Sequence, residues 1–187
     1  ASPKIAFHDE ADFERARRGL IATLPEGKVT IDSQTVWDCS QYDFLRENSS
    51  APDTVHPGLW RQGRLNAIHG LFEVMDGVWQ VRGYDISNLT LVAGKTGWIL
   101  IDVLTTAATA KACLELANEH LGARPVKAVI YTHSHADHFG GILGVTTAEE
   151  VERGQVRIIA PEGFLEEVVN ENVIAGAAMA RRAMYQF

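Results

Sequence analysis

The 187-residue chain is 46% hydrophobic and 22% charged, the composition of a globular protein with one sizeable core and not of a disordered chain. A formal net charge of −7 and a pI near 5.5, with no run of Lys or Arg to offset them locally, argue against nucleic acid as a partner. No apolar run approaches the ~20 residues of a membrane-spanning helix, so no membrane span is expected.

From Asp9 to Leu20, Phe13, Ala16 and Leu20 recur at helical spacing behind an acidic first turn, which predicts a short amphipathic helix. Between Thr30 and His56 no period is sustained, and the segment reads as an extended arm lying on something larger. The run from His56 to Gly70 begins with Pro57 and ends in glycine, the asymmetry of a helix, and its apolar residues suggest a surface helix. From Leu71 to Asp102 β-branched and aromatic residues alternate, with Asp76-Gly77 and residues 94–97 as turns, and antiparallel strands follow. Residues 105–122 predict a helix whose apolar face carries Ala112, Leu114, Leu116, Ala117 and Leu121, with Gly122 as its stop. Residues 125–132 read as a strand buried on both faces, residues 155–161 as a second short buried strand, and the tract from Pro161 onward as helical. The predicted class is α/β. Cys39 and Cys113, far apart in sequence, are expected to be buried free thiols.

The segment Tyr131-Thr132-His133-Ser134-His135-Ala136-Asp137-His138-Phe139-Gly140-Gly141 stands where the predicted strand ends, the place at which an α/β scaffold presents its chemistry. In extended backbone His133 and His135 point the same way and can grip one ion, while a tight turn could aim Asp137 and His138 at a second. Gly140 and Gly141 suit such a turn through the backbone angles and close approaches they tolerate. Three imidazoles and a carboxylate are donors that suit zinc best and tolerate iron or manganese. Four side chains cannot close two sites, since each ion needs about three protein ligands. Downstream the chain offers only glutamates: Glu149, Glu150, Glu152, Glu162, Glu166, Glu167 and Glu171. His8, His56, His69 and His120 are read as ordinary hydrogen-bonded residues.

The HxHxDH motif, behind the β-rich segment and the strand end Trp98-Ile99-Leu100-Ile101-Asp102, resembles the metallo-β-lactamase superfamily, which implies an αββα sandwich of which this chain would hold the first half. Residues 51–102, the histidine segment and residues 160–187 together resemble the type III, zinc-dependent alkylsulfatases of that superfamily. The resemblance implies an N-terminal arm with helices over residues 1–70 and the first part of the catalytic domain over residues 71–187. The remainder, a dimerisation domain and a sterol-carrier-like domain would then follow. It implies two zinc ions, the first on His133 and His135 and the second on Asp137 and His138, and a zinc-bound water hydrolysing a small alkyl sulfate to alcohol and sulfate. Cleavage of the C–O bond with inversion is implied for secondary alkyl sulfates, and a homodimer through a domain outside this chain. Where primary alkylsulfatases tend to read AGNAMSRRA, this chain has Ala177 and Ala180, which favours a secondary substrate or, equally, only helix propensity. Arg181 and Arg182 are candidates for contact with sulfate or for a solvent-facing or domain-interface role. Thioesterase or lactonase chemistry on the same metals, and a zinc-stabilised interaction module without catalysis, are the rival readings. The start at Ala1-Ser2-Pro3, without Met, suggests processing, and a periplasmic or secreted location is expected from a precursor with a signal peptide.

Overall fold

The computed structural model describes residues 9–47 and 50–186; the chain start Ala1-Ser2-Pro3, His8, Asn48, Ser49 and Phe187 lie outside these. Helix α1 (Ala11–Arg17) buries Phe13 and carries acids in its first turn and arginines in its last, each complementing the helix dipole. Arg64 lies over the Phe13 ring at 4.7 Å. Strand β1 (Leu20–Ala22) follows directly, a strand the sequence reading did not separate from the helix.

The stretch from Thr30 to His56, read as an extended arm, holds most of a hairpin, β2 (Lys28–Ile31) and β3 (Gln34–Asp38), and a short helix α2 (Asp43–Glu47). The hairpin turns at Asp32 and Ser33, whose φ of 46° and 67° make the tight two-residue connection whose twist matches paired strands. Asp and Ser tolerate that conformation less well than Asn-Gly, so the turn carries no strong sequence signal. Helix α3 (Pro57–Asn66) forms as expected, with Pro57 in its first turn and the His56 Nδ1 accepting from the Gly58 amide. It stops at Asn66, and Gly70 (φ 146°) opens the next strand instead of capping the helix.

Strands β4 (Gly70–Met75), β5 (Val78–Arg82), β6 (Leu89–Ala93) and β7 (Trp98–Ile101) form the expected antiparallel meander, turning at Asp76-Gly77 and residues 94–97. Helix α4 (Ala107–Leu121) then crosses over to β8 (Val126–Ile130), parallel to β7, and β9 (Arg157–Ile159) pairs parallel to β8. The sheet order is β1-β4-β5-β6-β7-β8-β9. The α/β expectation holds.

Period-two alternation buries Leu89, Leu91, Trp98 and Leu100 completely, each such side chain contributing roughly 1.5–3 kcal/mol. The Trp98 indole N–H donates to Asn118 on α4 at 2.8 Å, fixing the helix to the sheet. The buried face of α4 is Ala108, Thr109, Ala110, Cys113, Leu116 and Ala117, displaced from the expected one, because the small residues sit deepest and Ala112, Leu114 and Leu121 flank them. Cys39 and Cys113 are buried and free, and burial raises both thiols, Cys39 to about 11. Strand β9 corrects the sequence reading: all three residues are exposed, since it forms the edge of the sheet among the described residues. The helical tract is α6 (Ala148–Glu152, before β9, with a Thr147/Glu150 capping box), α7 (Phe164–Val169), a π-helical turn (Asn170–Ile174) and α8 (Gly176–Gln186).

Candidate metal centre

Strands β5, β7, β8 and β9 all run in one direction, so their carboxyl ends meet at a single edge of the sheet. That edge is where open α/β sheets place their chemistry. β8 delivers Thr132 and His133 there, and β7 delivers Asp102. After His135, which is still extended, the chain enters a single helical turn, α5 (Ala136–Phe139), at the place where the sequence called for a tight turn. His138 sits within this turn, which carries its ring back over His133: their centroids are 4.0 Å apart, and those of His133 and His135 4.6 Å. The three imidazoles therefore form one cluster.

Gly140 and Gly141 explain how the turn docks. Both have negative φ that other residues adopt, so conformational freedom is not their use. A Cβ on Gly140 would stand 2.3 Å from the Thr105 carbonyl oxygen, and one on Gly141 2.0 Å from that of Val103. Val103 N donates to the His138 carbonyl at 2.8 Å and Gly141 N to that of Leu104 at 2.9 Å. Only bare backbone allows this approach.

Asp102, with its side chain nearly out of solvent and φ at 56°, organises the cluster. Its carboxylate accepts from the Thr132 amide and the Thr132 hydroxyl, both at 2.8 Å. The His138 Nδ1–H donates to it at 2.7 Å. Since the Thr132 hydroxyl spends its hydrogen on Asp102, its oxygen accepts from His133 Nδ1 at 2.9 Å. Both rings thereby carry their proton on Nδ1 and present Nε2 as a lone pair, the arrangement a metal-binding histidine requires. The sequence reading missed this role, although an acid closing an apolar strand was a visible signal.

Asp137 Oδ2 lies 3.3 Å from His138 Nε2, and Glu171 Oε1, from the π-helical turn, 3.3 Å from His135 Nε2. Two donors each about 2.0–2.1 Å from an ion at a tetrahedral angle are separated by about that distance. Each pair is therefore spaced as two ligands of one cation, and the donor set fits a borderline metal. Of the glutamates considered from sequence, Glu171 is the one that reaches the histidines; Glu150 is used in the α6 cap. Among the described residues no group of three His, Cys, Asp or Glu is arranged to close a metal site.

A second network supports the same loop. Asp85, buried after β5, accepts from the Ile86 and Thr105 amides and from the Thr105 and Thr109 hydroxyls. Ser87 donates to the Asp137 carbonyl. Ala177, Ala180, Arg181 and Arg182 lie exposed on α8, which packs on the π-helical turn.

A family model for the metallo-beta-lactamase superfamily matches residues 82–180, more than half of the chain. The chain belongs to the metallo-beta-lactamase superfamily. Membership implies a metal cofactor. A linear primary-alkylsulfatase from a Pseudomonas species is 50% identical over 98% of this chain and 27% of its own length. An (R)-specific secondary-alkylsulfatase from a Pseudomonas species is 49% identical over 97% of this chain and 27% of its length. The solved structure of the stereoselective inverting sec-alkylsulfatase Pisa1, from Pseudomonas sp., superposes with a TM-score of 0.90 at 50% identity, over 96% of this chain and 28% of that one. The chain thus has the fold of that region and spans little more than a quarter of these relatives.

Proposed function

We propose that this chain is the metal-binding part of a hydrolase that converts alkyl sulfates, secondary ones in particular, to alcohol and sulfate. The observation that carries the reading is the gathering of His133, His135 and His138 at the sheet's carboxyl edge, with Asp137 and Glu171 at ligand spacing. The 50% identity to alkylsulfatases over nearly the whole chain supplies the substrate class.

In this reading His133 and His135 hold one zinc and Asp137 and His138 the other, and further ligands come from the longer protein. Bound zinc supplies an acidified water and positive charge for the departing sulfate. Asp102 holds the Nδ1 protons of His138 directly and of His133 through Thr132, so neither ring can present the wrong nitrogen. Ser87 and the paired glycines fix the backbone of the turn. Alkyl sulfate and water give alcohol and hydrogen sulfate: the C–O bond breaks, its electron pair leaves on sulfate, and the carbon inverts. The full-length protein acts outside the cytoplasm and as a homodimer.

The test uses the full-length protein, a single enantiomer of a secondary alkyl sulfate and ¹⁸O-water. We expect label in the alcohol and an inverted stereocentre; label in the sulfate with configuration retained would overturn the direction of cleavage. His135→Ala should abolish turnover while leaving the circular dichroism spectrum intact, because the ligand lies on a loop outside the core.

A further inference from the structure

A cavity of about 210 Å³ opens where α1, α2 and α3 meet. Arg17 from α1, Arg46 from α2 and Arg64 from α3 line it together with His69, and among the described residues no acid does. The whole chain has 24 acids against 17 Lys and Arg, so three arginines converging on a pocket without a carboxylate run against its charge balance. The volume lies below the ~300–1,000 Å³ of ordinary small-molecule sites and suits a small ion. None of the lining residues belongs to the histidine cluster or to the networks that support it.

The acids of these helices do not cancel that charge. Asp12 is shared between Arg15 and Arg61, and Asp43 pairs with Arg46 within α2. Arg17 makes no ion pair among the described residues; its guanidinium lies 5.8 Å from the centre of the Phe13 ring, and that of Arg64 lies 4.7 Å from the same ring. Burial first and the positive charge of Arg46 second lower the pKa of His69, against the opposing pull of Asp43. Like charges gathered over an apolar floor repel one another, and an anion among them turns that repulsion into attraction. Guanidinium forks match the oxygens of such an anion, and Arg17 and Arg46 are exposed, so it can enter from solvent.

We propose that this cavity binds a tetrahedral oxyanion, sulfate or phosphate, and that the ion clips the three N-terminal helices to one another. The site stands apart from the metal centre and does not depend on the alkyl-sulfate reading. Sulfate set free by that reaction is one source of the ion, and inorganic phosphate is the other.

The experiment follows amide hydrogen exchange in the full-length holoenzyme, with sodium sulfate or sodium phosphate added and sodium chloride at equal ionic strength as the control. At saturation one oxyanion or both should slow exchange in residues 11–17, 43–47 and 57–66 by about threefold or more, since an ion that binds only the closed arrangement stabilises it. The one that acts at the lower concentration identifies the source. Arg17→Gln, at an exposed position, should raise the concentration required about fivefold, and Arg17→Gln combined with Arg64→Gln should abolish the effect. Unchanged exchange in β4 to β7 shows that a variant is folded, and if the double variant is not, Arg17→Gln alone decides. His135→Ala, which disturbs any anion site at the metals, should leave the protection of these helices as it was. Equal protection in chloride, the same oxyanion dependence in Arg17→Gln as in wild type, or loss of the effect in His135→Ala would each overturn the inference.

Discussion

Asp102 gives one carboxylate two histidines to orient, and this predicts how its loss is felt. Asn in its place keeps the size and tolerates the left-handed backbone, but if its oxygen takes the place of Oδ2 to serve His138 and the Thr132 hydroxyl, its NH2 faces the Thr132 amide, donor against donor, where Oδ1 had accepted. In the full-length protein Asp102→Asn should lower metal affinity about 10–100-fold with the fold retained, measured by competition with a chelator. His69 supplies a pH prediction. Burial lowers its pKa, and the ring accepts the Tyr84 hydrogen only when neutral. The folded state therefore binds the proton less well than the unfolded chain. The stability it contributes is complete above the unfolded value near 6.5 and is lost as pH falls toward and through the folded one. Urea midpoints measured from pH 7.5 to 5 should fall, and His69→Gln should flatten part of that slope. At this scale the sequence displayed the histidines because their spacing is local. It hid Asp102, Asp85 and Ser87 because their partners lie 36, 24 and 50 positions away.

Elements were legible where one face is buried and the turns carry glycine: β4 to β7 and α4 stand as read. They were illegible where tertiary contact decides. The hairpin β2–β3 turns on Asp and Ser, and β9 looks buried from its composition but lies at an edge. The single turn α5 was legible as a tight turn but not as helix, because four residues have no period. Its docking gives a sharp prediction. Gly141→Ala drives a Cβ into the Val103 carbonyl and should cost about 1–3 kcal/mol in urea unfolding. Gly176→Ala, with nothing within 4 Å of the added carbon, should be neutral or stabilise by up to about 1 kcal/mol.

Across the whole molecule, apolar exposure is uneven. Leu165, Val173, Ile174 and Met184 in the tract from α7 to α8 are 73–82% exposed, far above the background of scattered surface apolar residues. The 187-residue chain expressed alone should therefore self-associate, and the pair Val173→Lys and Ile174→Lys should shift it toward monomer by light scattering. An unchanged mass would show that this tract is not the adhesive surface.

The two kinds of strand pairing also set an order in time. β4 to β7 are neighbours along the chain and can zip together through short turns, whereas β8 reaches β7 only after residues 102–125 have closed a long crossover. Parallel pairing of that kind is slow, since the entropy of closure is lost before any contact rewards it. The histidine-bearing loop hangs from the end of β8, so it acquires its shape after the meander is built. A cation arriving during synthesis meets loose imidazoles first, and a finished cradle only at the end.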